Sequence, residues 1–331
     1  MVSKMIFRCG FILLCNVFIF TGCSQKVTLE SLLVEMVSRE SLSYYPEPSY
    51  RHQQYSSYNR ASVKAEEKGW YENYDMSHFI RVDNNDGRRE FVMLDTEGPG
   101  AVVRWWMTFY RAQHGILRIY IDGQTTPVAE GTPGELLSGP LLAPSPLAVS
   151  VQEGANLGEA GRDYDHNFYV PIPFARHCKI TYECDSLVLL YEREGLKVEE
   201  GYYWPDVFYN IGCRIYDKNT RVKSVSRKSL GKARPLFDRT VKLLEDKSVE
   251  KEFEQSFNEA LMPGDSLVLD FRIGGMAIKH LKVEMKADDH QQALRSMVVR
   301  GIFDGHETLC LPVGDFFGTG YSLKPHHTWM N

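Results

Sequence analysis

Pairs of carboxylates at short spacing are the first feature of this sequence that could do chemistry. Asp95 and Glu97 stand two residues apart, so in a strand both would face the same side of the sheet. Two carboxyl groups that share one face can act together as a general acid and a general base. Because both residues precede Gly-Pro-Gly, where the backbone must turn sharply, we interpret them as capping that turn rather than as a catalytic pair.

Two stretches before the first long strand carry polar side chains that could bind a sugar. Arg60 could direct its paired N–H donors at sugar hydroxyls or at a carboxylate, and a structural salt bridge is the alternative. Asn73 and Asp75 would share one strand face and could hydrogen-bond one sugar edge together. The alternative for this second pair is an Asx-stabilised turn.

A tryptophan pair and one later carboxylate complete the candidate binding residues. In the sequence VVRWWM, Arg104 and Trp106 share one strand face while Trp105 lies on the other. One Trp is expected in the core and the other could form a flat platform for a sugar, and the sequence does not distinguish them. Asp315, in GDFFG, is placed near a pocket or, alternatively, caps backbone amides of the Gly turn.

Several other kinds of chemistry are excluded. The sequence has no phosphate-binding Gly loop, nucleophile elbow, zinc-helix motif or Cys/His zinc spacing, so we predict neither a cofactor nor a metal. The adjacent His326 and His327 would face opposite sides of a strand and are unsuited to joint metal ligation. A formal charge of −5 and the lack of a run of five or more Lys or Arg argue against nucleic-acid binding.

The first 23 residues have the pattern of a targeting segment. Lys4 and Arg8 precede the apolar run FILLCNVFIF, which is too short to span a bilayer stably and is followed by TGC ending at Cys23. The residues before Cys23 resemble a bacterial lipobox, in which the Cys is lipidated, and a plain signal peptide cut near the same place is the alternative. Both interpretations predict an extracytoplasmic protein, and acyl chains on Cys23 would hold it at a membrane surface.

The other cysteines of the mature chain are expected to be buried thiols. In one continuous strand Cys178 and Cys184 would lie about 20 Å apart, which is too far for a disulfide bond. Cys213 and Cys310 are the remaining two in a compartment that permits disulfides.

One helix and many short strands must position these side chains. Five apolar residues recur at helical spacing and predict a short N-terminal helix over 28–38, namely Leu29, Leu32, Leu33, Met36 and Val37. From about residue 88, short runs of Val, Ile, Tyr, Phe and Trp alternate with turn residues, which is typical of an antiparallel β-sandwich. The charged segment 244–260 is interpreted as a linker, after which strand sequence resumes with DSLVLDFRIGG at 265–275.

A sequence segment late in the chain, around Asp304-Gly305, resembles an earlier segment around Asp122-Gly123. Asp122-Gly123 aligns with Asp304-Gly305, and GELLSG aligns with GDFFGTG, at an offset of roughly 180 residues. The shared order of strand, Asp-Gly turn and acid-containing turn indicates two similar sandwiches in tandem. Because fewer residues follow the second copy than the first, we expect the second sandwich to be incomplete.

Six motifs resemble the family catalogued as domain of unknown function 2961, now family 172 of the glycoside hydrolases. They are SSYNRAS at 56–62, GWYENYD at 69–75, LDTEGPGAVVRWWMT at 94–108, LRIYIDG at 117–123, YVPIPFARHCKIT at 169–181 and PVGDFFGTG at 312–320. The resemblance runs from about Leu29 to the C-terminus. It implies a double jelly-roll fold, trimers or multiples of trimers, and retaining exo-hydrolysis of α-linked furanosides such as D-arabinofuranosides or D-fructofuranosides. It also places the catalytic glutamates of the family beyond GDFFG, where this sequence has no matching positions.

We therefore predict an all-β protein, a double jelly-roll β-sandwich whose second copy is incomplete, with a short N-terminal helix. The predicted segments are a lipoprotein signal at 1–23, the helix and first jelly roll at 24–240, a linker at 241–262 and a partial second jelly roll at 263–331. The predicted partners are an oligosaccharide, the membrane through Cys23, and further copies of the chain in a homotrimer or a multiple of it. Three functions compete: a furanosidase, a non-catalytic glycan-binding protein, and a fragment of a split reading frame.

Overall fold

The computed structural model describes residues 26–68, 70, 75–109, 115–138, 142–151, 165–185, 188–189, 203–246, 255–271, 278 and 280–318. The α-helices are α1 (Leu29–Met36), α2 (Pro133–Leu137), α3 (Arg227–Gly231), α4 (Arg234–Glu245), α5 (His290–Ser296) and α6 (Val313–Phe316). The strands are β1 (Tyr50–Ser56), β2 (Arg81–Asn85), β3 (Arg88–Glu97), β4 (Gly100–Phe109), β5 (Ile116–Ile121), β6 (Ala129–Gly131), β7 (Ala148–Val151), β8 (Asp165–Phe168), β9 (Ile172–Phe174), β10 (His177–Glu183), β11 (Val188–Leu189), β12 (Tyr203–Trp204), β13 (Val207–Tyr216), β14 (Val298–Phe303) and β15 (His306–Pro312).

Two antiparallel sheets pack face to face and form the body of the protein. The six-stranded sheet has the order β1-β13-β4-β8-β7, and β9 also pairs with β4. The five-stranded sheet has the order β2-β3-β10-β5-β6. The prediction of an all-β fold built on a sandwich is confirmed, and helices other than the predicted N-terminal one are also present.

Alternating side chains of the long strands fill the space between the two sheets. In β4, Trp105 and Met107 are fully buried, whereas Arg104 is exposed and Trp106 is only partly buried. Phe91 of the other sheet belongs to the same core. Burying one large apolar side chain contributes about 1.5 to 3 kcal/mol, so this alternation decides which face of each strand stays available to solvent.

The predicted N-terminal helix is confirmed as α1, and it begins at a capping box. The Ser31 amide donates to the Thr28 hydroxyl oxygen at 3.0 Å, and the Thr28 amide donates to the Ser31 hydroxyl oxygen at 2.8 Å. Leu33 is fully buried in the sandwich core. Glu35, on the same helix, forms an ion pair with Arg214 of β13 at 2.8 Å, so α1 is fixed to the six-stranded sheet.

Helix α4 overlaps the start of the predicted linker and corrects it. Phe237 is fully buried, and Val241 and Leu244 pack against the same core. These residues stand at i, i+4 and i+7, which places them on one apolar helix face that the sandwich covers. Residues 241–245 are therefore helix rather than linker, and the division of the chain into domains stays a prediction.

The two stretches aligned in the sequence share local structure. Asp122-Gly123 and Asp304-Gly305 have positive φ at all four residues, a conformation that Gly and Asp adopt in tight turns. In the first stretch the turn is followed by β6 and α2, and in the second by β15 and α6. Each stretch thus has the order strand, Asp-Gly turn, strand and short helix.

The strand predicted at 265–275 is wrong for its described residues. Residues 265–271 have no regular secondary structure, and the side chains of Leu267, Val268 and Phe271 are exposed. A strand is stable only when its backbone groups pair with those of a neighbour, and no described residue pairs with this segment.

The cysteines of the described residues are free thiols. Cys178, Cys184 and Cys213 are buried, as predicted, but Cys310 is exposed, and the prediction for it is wrong. Cys310 lies on β15, which pairs only with β14 among the described strands, so no second layer of sheet covers it. Among the helices of the described ranges, none combines the length and the hydropathy that a membrane span requires.

Candidate functional site

A row of polar and aromatic side chains crosses the outer face of the six-stranded sheet. Asn210 of β13 is paired with Ser56 of β1 on one side and with Trp106 of β4 on the other. Trp106 is in turn paired with Asn167 of β8. Directly paired residues of an antiparallel sheet lie on the same face. Since the next residue of β4, Trp105, is in the core, the row faces outward, and it spans four strands or roughly 14 Å at about 4.8 Å per strand.

A second row lies beside the first and is centred on a glycine. Gln54 of β1 is paired with Gly212, which is paired with Arg104 of β4. A Cβ atom at position 212 would approach the His52 Nε2 atom to 2.9 Å, so the imidazole ring lies over the glycine backbone. The lack of a side chain at Gly212 thus makes room for the His52 ring beside Arg104.

We call the outward side chains of His52, Gln54, Ser56, Arg104, Trp106, Asn167 and Asn210 the Trp106 face. Arg104 is exposed, and Trp106, Asn167 and Asn210 are partly exposed. Within the described ranges, the side chains of Arg104, Trp106 and Asn167 make no hydrogen bond or ion pair, and neither does that of Asn210. Their donors and acceptors are therefore available to a ligand.

The loop that follows β1 places Arg60 and Asp75 close to one end of the Trp106 face. Arg60 donates to the backbone carbonyls of His78 at 2.7 Å and Ser56 at 3.3 Å, and its guanidinium lies 5.0 Å from the ring centroid of Tyr58. It therefore binds backbone carbonyls rather than the carboxylate of a salt bridge. The exposed side chains of Arg60 and Tyr58 lie next in the chain after Ser56, which is part of the face.

Asp75 joins two loops. Its Oδ1 atom accepts a hydrogen bond from the Asn59 amide at 2.8 Å, and Asn59 itself forms the Asx turn by accepting from the Ala61 amide at 2.9 Å. Asn73, the other member of the predicted pair, lies outside the described residues, as do Cys23, His326 and His327.

Asp95 and Glu97 lie at the end of β3 and differ in their surroundings. The Asp95 carboxylate binds His177 Nε2 at 2.6 Å and Arg81 at 2.5 Å, so the turn-capping interpretation is wrong for this residue. The amide of Gly98 donates instead to the carbonyl of Arg176 at 2.6 Å, because β3 and β10 bring that carbonyl to the turn. Glu97 is exposed and lines an open cavity at the edge of the sandwich.

Asp315 lies in the first turn of α6, and its side chain is exposed. It does not cap the Gly turn with its carboxylate, because the Gly318 amide donates to the backbone carbonyl of Asp315 at 3.1 Å. The capping alternative is therefore not realised for this amide.

The outer face of the five-stranded sheet carries a buried carboxylate that sequence reasoning missed. Glu90 is fully buried, and it accepts hydrogen bonds from Tyr120 at 3.0 Å, Thr181 at 2.8 Å and Arg88 at 3.2 Å. Burial raises the pKa of the Glu90 carboxyl, but the hydrogen bonds from Thr181, Tyr120 and Arg88 together lower it by more, so the net pKa is below its ordinary value. Burial and the neighbouring Glu90 carboxylate raise the pKa of Tyr120 to about 12, so this hydroxyl stays protonated.

A second group of charges continues along the same outer face. Arg81 binds both Asp83 at 2.8 Å and Asp95, and Lys179 binds Asp83 at 2.9 Å. Partial burial raises the pKa of the Asp83 carboxyl, but hydrogen bonds from Arg81 and Lys179 lower it by more, so the net pKa is below its ordinary value. Arg81, Asp83, Asp95 and Lys179 thus satisfy one another, in contrast to the charged side chain of Arg104 on the Trp106 face.

The chemistry of the two faces differs accordingly. The Trp106 face offers amide groups, a guanidinium, the His52 imidazole and an aromatic ring, which suit the recognition of hydroxyl groups, and it contains no carboxylate. Among the described residues, no group of His, Cys, Asp and Glu is arranged to hold a metal ion. The Trp106 face therefore suits a polyhydroxylated ligand, and it lacks the pair of carboxyl groups that a retaining glycosidase uses.

Sequence reasoning placed Arg104 and Trp106 correctly on one strand face and left open which Trp is in the core. The structure assigns Trp105 to the core and Trp106 to the outer face. Sequence reasoning missed Asn210 and Asn167, because their neighbours across the sheet depend on strand register. A signal for Asn210 was present, because Asn and Gly are depleted in strands and Asn210 and Gly212 stand at alternate positions of the apolar sequence VFYNIGCRIY.

Comparison with known proteins identifies the sandwich. A family model that describes the first β-sandwich domain of GH172 proteins matches residues 48–233, which is more than half of the chain. The chain belongs to the GH172 family. The matched residues include β1 to β13 and hence every strand of the Trp106 face.

Membership of GH172 gives the chain a glycoside-hydrolase-like character. A search of curated proteins returned no match to the chain. The GH172 sandwich thus has two different outer faces. On the five-stranded sheet most charged side chains bind one another, whereas the Trp106 face has side chains without a partner among the described residues.

Proposed function

We propose that this GH172 protein binds α-linked furanoside glycans outside the cytoplasm and that the Trp106 face is its glycan-binding surface. The observation that supports the proposal is that Trp106, Arg104, Asn167 and Asn210 are outward-facing and have no partner within the described part of the chain. The furanoside class comes from the motifs that resemble the family, and membership of GH172 supports a glycan as ligand.

Each group of the face has a defined role in this proposal. The Trp106 ring gives an apolar platform for one side of a sugar ring. The amides of Asn167 and Asn210, on either side of Trp106, donate to and accept from the hydroxyl groups around that sugar. Arg104, two residues before Trp106, adds paired donors in fixed geometry for oxygens of the neighbouring sugar unit.

Hydrolysis is the second candidate function, and membership of GH172 favours it. In this version the protein is an exo-acting retaining furanosidase, and the sandwich supplies a binding surface while a glutamate pair elsewhere supplies the chemistry. Three carboxylates on the outer face of the five-stranded sheet, those of Asp83, Glu90 and Asp95, are bound to Arg, Lys, His, Thr and Tyr side chains, which suits them to a structural role.

Localisation and assembly complete the proposal. Acyl chains on Cys23 would hold the protein at the outer surface of a membrane, in the periplasm or at the cell surface, where glycans are available. The chain would assemble as a homotrimer or a multiple of it, as the family resemblance implies. Electrospray mass spectrometry of the mature protein would give the mass of the lipid, and sedimentation would give the number of copies.

Titration calorimetry with D-arabinan and fructan oligosaccharides tests the binding function. We expect the wild-type protein to bind one of these classes, and we expect Trp106→Ala and Arg104→Ala each to weaken binding about tenfold or more, because a stacked aromatic ring or a charged hydrogen bond contributes roughly 1 to 3 kcal/mol. Tyr45→Ala is the control, since Tyr45 is 99% exposed and lies outside the sheet, and it should bind like the wild type.

Two further results would decide between the candidate functions. Release of arabinose or fructose from para-nitrophenyl α-furanosides would support hydrolysis, and heat of binding without release would support binding alone. Wild-type affinity in both the Trp106→Ala and the Arg104→Ala variant would show that the Trp106 face is not the glycan surface.

A further inference from the structure

A cavity separate from the Trp106 face lies at the edge of the sandwich, where β3 turns into β4 beside the edge strand β1. Its volume is about 520 Å³, which is within the range of small-molecule sites. The polar side chains that line it are those of Arg51, Gln53, Thr96, Glu97, Asp217 and Lys218.

The charges of this cavity are balanced but not paired. Two cations, Arg51 and Lys218, and two carboxylates, Glu97 and Asp217, line the same space. Within the described ranges, none of these four side chains forms an ion pair or a hydrogen bond, and the amide of Gln53 is likewise free. On the outer face of the five-stranded sheet, by contrast, Arg81, Asp83 and Lys179 are close enough to pair directly.

The four charged side chains are exposed and do not touch, so their hydrogen-bonding capacity is left to solvent, and a ligand that enters the cavity can take the place of that water. A ligand with hydroxyl groups can do this, because each hydroxyl donates to a carboxylate and accepts from a cation or an amide. A ligand with a net charge would leave one pair of side chains unfavourably placed, since the four charges sum to zero. The cavity therefore suits a neutral polyhydroxylated ligand.

We propose that this cavity is a second saccharide subsite, with Glu97 and Asp217 as acceptors and Arg51, Lys218 and Gln53 as donors. The proposal rests on the proposed function in taking glycans as the ligands of the protein. It adds a site on a different part of the sandwich, outside the Trp106 face.

Strand β1 connects the two sites. His52, Gln54 and Ser56 belong to the Trp106 face, whereas Arg51 and Gln53, which alternate with them, line the cavity. Because β1 is the edge strand of its sheet among the described strands, none of these strands separates the two sites along this edge. A longer glycan that passes over β1 can occupy both sites at once, and a short one can occupy only one of them.

Calorimetric titration with a disaccharide and a hexasaccharide of the same furanoside tests the cavity site. We expect the wild type to bind the hexasaccharide about tenfold more tightly than the disaccharide, because the additional units gain hydrogen bonds to charged groups. The double variant Glu97→Gln/Asp217→Asn should lose this tenfold advantage and keep the affinity for the disaccharide. The independent double variant Arg51→Gln/Lys218→Gln should show the same loss.

These variants distinguish the cavity from the Trp106 face. The four substituted side chains are exposed and the replacements are similar in shape, so the melting temperature should match that of the wild type. Trp106→Ala should weaken binding of both oligosaccharides. Equal affinity of the wild type for the disaccharide and the hexasaccharide would overturn the cavity subsite alone, and so would tighter hexasaccharide binding that persists in both double variants. A wild type that binds neither oligosaccharide would overturn the proposed function and the subsite with it.

Discussion

The tryptophan pair and Glu90 show what the sequence determines for single residues. Alternation in β4 predicted that Trp105 and Trp106 lie on opposite faces, and the buried partners of Trp105 decide which one enters the core. Glu90 was missed because its partners Tyr120 and Thr181 are 30 and 91 residues away, and only the register of β3, β5 and β10 brings them together. Local pattern therefore predicts the face of a residue, and long-range pairing decides its contacts.

Glu90→Gln should destabilise the sandwich at neutral pH. The folded pKa of Glu90 lies below its unfolded value of about 4.3, so its stabilising contribution is fully present above that pH and is lost as the pH falls through the folded pKa. We expect a loss of about 2 to 4 kcal/mol in the free energy of unfolding at pH 7, because the substitution removes a buried charge from three hydrogen bonds.

Urea unfolding at pH 7 and pH 3 measures this effect. The difference in the free energy of unfolding between variant and wild type should be smaller at pH 3, because below about pH 4.3 the unfolded wild type takes up a proton that the folded protein takes up only at lower pH. Glu130→Gln is the matched control, because Glu130 binds Arg118 on the same face at 2.8 Å but its side chain is 42% exposed. Glu130→Gln should lower the free energy of unfolding by less than half as much as Glu90→Gln does. Equal losses in the two variants at every pH would contradict a role for the buried charge.

The elements of the fold were predictable where local signals and tertiary pairing agree. The apolar stripe of α1 and the alternating strands of the sandwich have such signals. Residues 265–271 have strand-like composition but no described partner, and composition cannot supply one. Helix α4 was missed because its charged sequence hides the stripe of Phe237, Val241 and Leu244 that packs on the core.

The turn at Asp122 joins three segments and should be sensitive to substitution. Its carboxylate accepts from the amides of Arg176 at 2.7 Å and His177 at 3.3 Å and from the Ser224 hydroxyl at 2.5 Å, and its φ is 58°. Asp122→Ala removes these acceptors and places Ala at positive φ, so we expect a loss of about 2 to 4 kcal/mol in the free energy of unfolding.

Asp122→Asn is the comparison variant for this turn. Asn tolerates positive φ and keeps one side-chain acceptor, so it should lose about half as much as the Ala variant. Chemical denaturation monitored by Trp fluorescence gives both values. Equal stability of the Asn, Ala and wild-type proteins would show that the turn is held by its backbone alone.

At the scale of the whole molecule, the fold class followed from the sequence and the sheet order did not. Short strands between turn residues predicted a sandwich, because only packing of two sheets buries so many alternating apolar side chains. The order β1-β13-β4-β8-β7 pairs strands that are more than 100 residues apart, such as β1 and β13, and local sequence does not encode such partners. The Trp106 face depends on this order and was therefore only half predictable.

Limited proteolysis should separate the sandwich from the segment that follows it. In the range 255–271, Phe257, Leu261 and Phe271 are exposed and belong to no regular element, whereas the aromatic core residues of the sandwich are buried. We expect chymotrypsin to cleave early in this range and at the exposed Tyr44 and Tyr45 that precede β1, and to leave the sandwich intact, as mass spectrometry of the early fragments would show. Early cleavage within β3, β4 or β13 would contradict this expectation.

The buried cysteines can report the opening of the sandwich through their reaction with thiol reagents. Burial raises the pKa of the Cys213 thiol to about 12 and that of Cys178 well above its ordinary value, so both stay protonated and unreactive while the sheets are closed. Cys310 is exposed and is open to reagents at once. The rate at which a thiol reagent labels Cys178 and Cys213 would therefore measure the rate at which the two sheets separate. The fast labelling of Cys310 in the same sample would serve as the internal reference.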